Sequence, residues 1–133
     1  MLFSVKIITP QGLYKEVETS ILNVVTTDGA RGVLSNHMPL VTMLKTSAMN
    51  TVEDNVKVEY AINGGMLYFK DNVATILTDA CESRDEIDVE RALASKARAE
   101  QRLASNEASV DRARAEAALS RAINRLNITG HKF

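Results

Sequence analysis

Up to about Ala80 the hydrophobic and polar positions alternate in short runs, and from Ile87 onward the apolar positions recur every third or fourth residue. A period of two lines one face of a strand, whereas a period near 3.6 lines one face of a helix. The chain therefore reads as a β module followed by a helical appendage.

Within the β module, residues 2–8 predict a first strand, closed by Thr9-Pro10-Gln11-Gly12, and residues 13–17 a short second one. Residues 20–27 predict a third, followed by a turn at Asp28-Gly29-Ala30-Arg31-Gly32. Val33 and Leu34 lead to a polar, exposed tip, Ser35-Asn36-His37, from which Met38-Pro39-Leu40 returns into a strand over 41–44. Strands over 46–52, 56–61, 66–70 and 73–78 follow, separated by turns at Asp54-Asn55, Asn63-Gly64-Gly65 and Asp71-Asn72. Roughly eight to ten short strands at this spacing predict an antiparallel sandwich or barrel.

Residues 81–86 read as a polar linker. Asp88 is placed to cap a helix starting at Val89, its carboxylate accepting from a first-turn N–H. Val89, Leu93 and Ala97, with Ala92, Ala99 and Leu103 beside them, give that helix a shallow apolar face. A break near Ser105-Asn106 precedes a second helix with a stripe of Ala115, Leu119, Ala122, Ile123 and Leu126, ended by Gly130. Two such stripes predict an antiparallel helical hairpin with close alanine packing. The fold class is thus α+β.

Composition sharpens this division. Every aromatic residue except Phe133 lies before residue 81, so the large side chains of a core are concentrated in the β module. The hairpin, mostly alanine, buries little area per residue and needs a surface to dock on. Net charge is −1, which argues against nucleic acid as a partner. The last segment is nonetheless basic: Arg112, Arg114, Arg121, Arg125 and Lys132 face only Asp111 and Glu116, a balance suited to an acidic protein surface or an anionic ligand. Cys81 is the single cysteine, which excludes an intrachain disulfide and a cysteine-based zinc site and fits a reducing cytoplasm. No run approaches the roughly 20 apolar residues of a membrane span, and the N-terminus enters a strand pattern directly. Direct membrane insertion is not expected.

Neither a Walker-type phosphate loop nor a dinucleotide glycine motif is present, and the two histidines, His37 and His131, form no nucleophile–base set. The chain is not expected to be an enzyme, and no metal site or required cofactor is expected. The arginines carry more information. Arg91, Arg98 and Arg102 are spaced i, i+7, i+11, and Arg114, Arg121 and Arg125 repeat that spacing, so each set lies along one helical face. Adjacent faces would form a positive cleft suited to a polyphosphate. The plainer reading is a pair of solvated faces neutralised by Glu90, Glu100 and Glu116. For His37 the plainer reading is a loop residue, for Cys81 a small packing residue, and for the methionines core filler.

Three segments carry a family likeness: Gly32-Val33-Leu34-Ser35-Asn36-His37-Met38-Pro39-Leu40, Gly64-Gly65-Met66-Leu67 and Ile87-Asp88-Val89-Glu90-Arg91-Ala92. With the order of the elements through to Arg121-Ala122-Ile123-Asn124-Arg125-Leu126, the chain resembles the epsilon subunits of bacterial F-type ATP synthases over its whole length. One departure is Ser35-Asn36 where that family usually has Pro-Gly; asparagine also tolerates left-handed backbone.

The resemblance implies a ten-stranded antiparallel β-sandwich over 1–84 and a regulatory hairpin over 85–133, on the central stalk of a rotary motor at the cytoplasmic side of the cell membrane. The sandwich would bind the gamma subunit and the c-subunit ring, coupling proton-driven rotation to ATP synthesis, with the loop of Ser35, Asn36, His37 and Met38 facing the ring. Extended, the hairpin would reach the alpha/beta catalytic head through Arg112, Arg114, Arg121 and Arg125 and block hydrolysis. Folded, it would bind ATP as a regulatory ligand. Ile87 to Ala92 matches the Ile/Leu-Asp-x-x-Arg-Ala pattern of nucleotide-binding members, which implies a site of Glu82, Asp88, Arg91, Ala92, Arg98, Arg121 and Arg125. A free-standing ATP-sensing module and a structural adaptor without nucleotide are the other readings.

Overall fold

The computed structural model describes residues 1–105 and 107–130. It contains eight strands, β1 (Phe3–Thr9), β2 (Gly12–Thr19), β3 (Ile21–Thr26), β4 (Gly29–Leu34), β5 (Leu40–Glu53), β6 (Val56–Lys70), β7 (Val73–Leu77) and β8 (Cys81–Ser83). A single 3₁₀ turn, Arg84–Glu86, leads to helices α1 (Val89–Ala104) and α2 (Arg112–Ile128). His131 and Asn106 lie outside the described residues, as do Lys132 and Phe133.

The strands pair in the order β2-β1-β7-β6-β5-β3-β4, with β8 also on β6. The sheet closes over itself: Lys15 Nζ on β2 lies 3.2 Å from Glu53 on β5, and the Val52 N–H donates to Thr19 Oγ1 at 2.9 Å. Alternate residues of both layers meet in one core, in which Val5, Ile7, Leu22, Met49, Leu67 and Phe69 are fully buried. The two-residue turns at Asp54-Asn55 and Asp71-Asn72 hold all four residues at positive φ, the primed geometry that matches strand twist.

Several expectations need correction. The sheet has eight strands rather than ten, because β5 runs for 14 residues and β6 for 15 without interruption. Asn63-Gly64-Gly65 is not a turn. It lies inside β6, paired to β5 on both sides through Leu44↔Gly65 and Thr46↔Asn63, while Gly64 and Gly65 take φ of 69° and 116° and kink the strand. On its other edge β6 pairs with β7 beyond the kink and with β8 before it, so each long strand serves as two shorter ones. The module is also not wholly antiparallel, since β1 and β7 pair in parallel. No hairpin joins these two distant segments, so turn geometry does not set their direction.

Residues 81–86 are not a linker. Cys81–Ser83 pairs with Tyr60, Ala61 and Ile62, which pins the start of the helical region to the sheet. The hairpin folds back onto the sandwich, where Ile87 and Ile128 bury against Ala61 with Ala48 beside them. Its seam is narrower than the apolar stripes suggested: Ala92, Ala99, Ala115 and Ala122 are buried, while Ala97 is exposed and Leu93 only half-buried. The methionine expectation fails too, since only Met49 is in the core, and Met38 and Met43 are 72% and 54% exposed.

Behind β2 lies a polar knot in which Glu53 accepts from Tyr60 and Thr51 hydroxyls, both at 2.5 Å, and from Lys15 at 3.2 Å. Burial pushes the Glu53 carboxyl up, but these three donors outweigh it and hold it below the ordinary carboxylate range. A depressed folded-state pKa contributes stability that is complete above the unfolded value and is lost as pH falls through the folded one. Acid unfolding of Glu53→Gln is therefore expected to show a shallower loss of stability below about pH 4.5 than the native chain. Urea midpoints measured across that range check this, and parallel curves would refute it.

Candidate functional site

A cleft of about 340 Å³ opens where the hairpin meets the sandwich, lined by Glu82, Glu86, Asp88, Arg91, Ala92, Ser95, Arg98 and Arg125. β8 supplies Glu82 and the 3₁₀ turn Glu86. Asp88 caps α1 by accepting from the Arg91 N–H at 3.1 Å, a bond that uses the arginine's backbone and not its guanidinium. Arg91, Ala92, Ser95 and Arg98 follow at helical spacing on one face of α1. Across the seam, Arg125 near the end of α2 donates through Nε to Glu82 at 2.6 Å. The start of α1 and the end of α2 thus share one wall-to-wall site, as an antiparallel hairpin requires.

Six of the seven residues expected for this site, Glu82, Asp88, Arg91, Ala92, Arg98 and Arg125, come together here. Arg121, one turn before Arg125, is half-buried and does not line the cleft. Glu86 and Ser95 line it and were not anticipated; Ser95 lies between the two α1 arginines and accepts from Arg98 Nη2 at 3.0 Å.

Electrostatically, each acid of the cleft is already held by a protein donor. Glu82 is paired with Arg125, Asp88 with the α1 N-terminus, and Glu86 accepts from the Tyr14 hydroxyl and from the Ser83 N–H. The Tyr14 hydrogen bond first, then the Ser83 N–H, holds the Glu86 carboxyl below its ordinary range. Among the described residues neither Arg91 nor Arg98 has an ion-pair partner, and Glu100, the expected neutraliser, pairs with Lys96 at 3.1 Å instead. Two guanidiniums free of carboxylates, on one wall of a cleft of this volume, suit an anion with several oxygens. Nearby Cys81 is buried, which pushes its thiol up to about 12 and keeps it inert.

The Ser35–Met38 tip forms a second polar site at one end of the sheet. Asn36, at φ 65°, donates its N–H to Asn72 Oδ1 at 2.6 Å, and Asn72 Nδ2 returns a bond to Asn36 Oδ1 at 2.9 Å. His37 is half-buried, edge-on to Phe69 with centroids 5.8 Å apart, and its Nδ1 donates to the Met38 carbonyl at 2.7 Å. The tip is thus clasped in place rather than being a simple exposed loop. Arg112 and Arg114 are exposed in the first turn of α2, far along the hairpin from the cleft.

An apolar surface was missed. On the outer face of the sheet Val41 lies beside Tyr68, and Met43 beside Met66, which neighbours Leu77. Val41, Met43, Tyr68 and Leu77 are all at least 40% exposed. The signal was present: residues 40–44, apart from Thr42, and residues 66–69 carry apolar side chains on both faces, unlike a strand with one face in water. Among the described residues no helix is long and apolar enough to cross a membrane, and no cluster of metal-ligating side chains occurs.

A small sandwich carrying an alanine-seamed hairpin over an arginine-walled cleft defines a two-part β-sandwich and helical-hairpin protein. The family model of the ATP synthase delta/epsilon chain β-sandwich domain matches residues 2–84, and that of its long alpha-helix domain residues 85–130. The chain belongs to the ATP synthase delta/epsilon chain family, and as such is a non-catalytic structural and regulatory subunit. It is 39% identical over 130 residues to the ATP synthase epsilon chain of Bacillus mycoides, covering 98% of both chains. To that of Symbiobacterium thermophilum it is 40% identical over 128 residues, covering 96% of this chain and 92% of the relative. Its fold is shared with a chain of the Euglena gracilis mitochondrial ATP synthase, at a TM-score of 0.80 and 24% identity, over 96% of this chain and 80% of that one.

Proposed function

We propose that this chain is the epsilon-type subunit of the central stalk of a rotary F-type ATP synthase, peripheral to the cell membrane on its cytoplasmic side. In this reading the sandwich couples proton-driven rotation of a c-subunit ring to ATP synthesis, and the hairpin restrains ATP hydrolysis when extended. The apolar outer face around Val41, Met43 and Tyr68 suits docking on the gamma subunit, and the clasped tip of Ser35, Asn36, His37 and Met38 suits contact with the ring. Arg112, Arg114, Arg121 and Arg125 suit acidic segments of the alpha/beta head.

The observation that carries the regulatory part is that the cleft has walls from β8, α1 and α2 and so exists only while the hairpin is folded. ATP bound there stabilises that state alone. At a hundredfold excess over Kd the gain is about 2.7 kcal/mol, enough to shift a hairpin held to the sandwich by few apolar contacts. High ATP then retains the hairpin, and low ATP releases its basic second helix toward the head.

Isothermal calorimetry of the full chain with Mg-ATP is expected to show one site per chain, and no heat of binding would overturn the nucleotide reading. Co-purification separates the stalk role: the tagged chain is expected to bring down gamma with the alpha/beta head. A chain that binds ATP yet captures neither subunit would be the free-standing sensor instead.

A further inference from the structure

One side-chain contact bridges the sandwich and the cleft. Tyr14, on β2, reaches across to the 3₁₀ turn, where its hydroxyl donates to Glu86 Oε1 and accepts from the Ser83 N–H at 3.2 Å. The same N–H is shared with Glu86 Oε1 at 3.0 Å. The Tyr14 ring is itself fixed, edge-on to Tyr60 at 6.4 Å, and Tyr60 is fully buried in the sandwich core. Segment 83–86 is therefore tied to the sheet twice, by the β6–β8 pairing at Ser83 and by the tyrosine at Glu86. Ile87 follows, 9% exposed and packed with Ala61 of β6. The first residue beyond these ties is Asp88.

We propose that Tyr14 is a clamp that keeps residues 83–86 part of the sandwich when the hairpin moves, so that the hairpin pivots at Asp88, and that the same clamp makes Tyr14 a positioning residue for the anion cleft. The second half rests on the nucleotide reading above. Its logic is electrostatic. Glu86 lines the cleft that holds the two guanidiniums without carboxylate partners, yet its carboxylate is engaged on the sandwich side. With the Tyr14 hydroxyl removed, only the local Ser83 N–H still holds the carboxylate, which then swings more readily toward Arg91 or Arg98 to compete with a phosphate oxygen. The clamp thus keeps an internal anion off the site while fixing the base of α1. It also places the mechanical boundary of the chain three residues beyond the 84/85 junction between the two matched family domains.

Amide hydrogen exchange of the ligand-free full chain tests the clamp. In the native chain the Ser83 and Ile87 amides are expected to exchange at least tenfold more slowly than the most labile amides of α1, since they stay with the sheet. In Tyr14→Phe they are expected to quicken about fivefold or more, while amides of β1 and β7 keep their rates. Ser83 exchanging at the same rate in both chains overturns the clamp, and Ser83 opening together with α1 in the native chain overturns the pivot. Mg-ATP calorimetry tests the cleft: Tyr14→Phe is expected to weaken binding about threefold to tenfold, and Tyr14→Phe with Glu86→Gln to regain most of it, because an amide no longer competes for guanidinium. Unchanged affinity in Tyr14→Phe, or no recovery in the double variant, overturns the positioning role. If the native chain binds no Mg-ATP, the nucleotide reading falls and takes that role with it, whereas the exchange rates still decide the clamp.

Discussion

Gly65→Ala is expected to destabilise the sandwich by about 3 kcal/mol or more, the largest effect among the glycines of this chain. A Cβ built at Gly65 would stand 1.9 Å from the carbonyl oxygen of Leu77 and 2.9 Å from its carbonyl carbon, both backbone atoms of a strand that is paired here. The clash cannot be relieved by a side-chain rotation; β7 would have to leave β6. The backbone adds its own cost, because φ is +116°, outside the left-handed well that alanine tolerates. Gly64→Ala is the internal control. Its φ of +69° lies in that well and its nearest neighbour would be 3.4 Å away, so about 1 kcal/mol is expected. Urea denaturation of the two variants measures the difference, and equal midpoints would mean that β6 and β7 do not approach as closely at the kink.

That kink also shows what a local reading can and cannot recover. Asparagine followed by two glycines is a strong turn signal, and the positive φ values it implies are present at Gly64 and Gly65. What the local pattern lacks is β5, whose pairing keeps one register on both sides of Gly64 and carries β6 through the kink instead of reversing it. Asp54-Asn55 and Asp71-Asn72 were legible as turns because there the next strand pairs with the one just finished, so local chemistry and tertiary pairing agree. Residues 81–86 were misread for the opposite reason. They are polar enough for a linker, and only the position of Tyr60–Ile62 turns three of them into a strand.

In the candidate cleft, helical spacing alone made Arg91 and Arg98 legible, together with Arg102, which does not line it, whereas Glu82, Asp88 and Ala92 were legible only through the family resemblance. Glu86 was not, since its place is set by Tyr14, a residue of another strand. Arg121 shares a face with Arg125 in the spacing, but α2 brings only its last turn against β8, where Glu82 takes Arg125. The outer apolar face escaped notice because the exposed methionines, read one at a time, look like core residues. Cross-strand register is what assembles them into a patch.

Arg125→Ala is expected to lower Mg-ATP affinity by about tenfold to a hundredfold, while Arg121→Ala costs less because Arg121 does not line the cleft. Two losses combine in Arg125→Ala. One guanidinium is removed from the wall, and the Glu82 carboxylate it held becomes an uncompensated negative charge facing the phosphates. The ion pair itself contributes little to folding, since both side chains are about 30% exposed and water screens them, so less than about 1 kcal/mol of stability is at stake. The two losses separate in a cycle with Glu82→Gln: if repulsion by Glu82 is a substantial part, Arg125→Ala with Glu82→Gln binds more tightly than Arg125→Ala alone. Calorimetry on the four chains reads both quantities, and thermal melts without ligand confirm that the sandwich is intact. Arg125→Ala binding as tightly as the native chain would show that the anion, if it is bound at all, does not use the α2 wall. The linkage between nucleotide and the folded hairpin would then lose its physical basis, because a ligand that touches only α1 stabilises that helix without holding the second one to it.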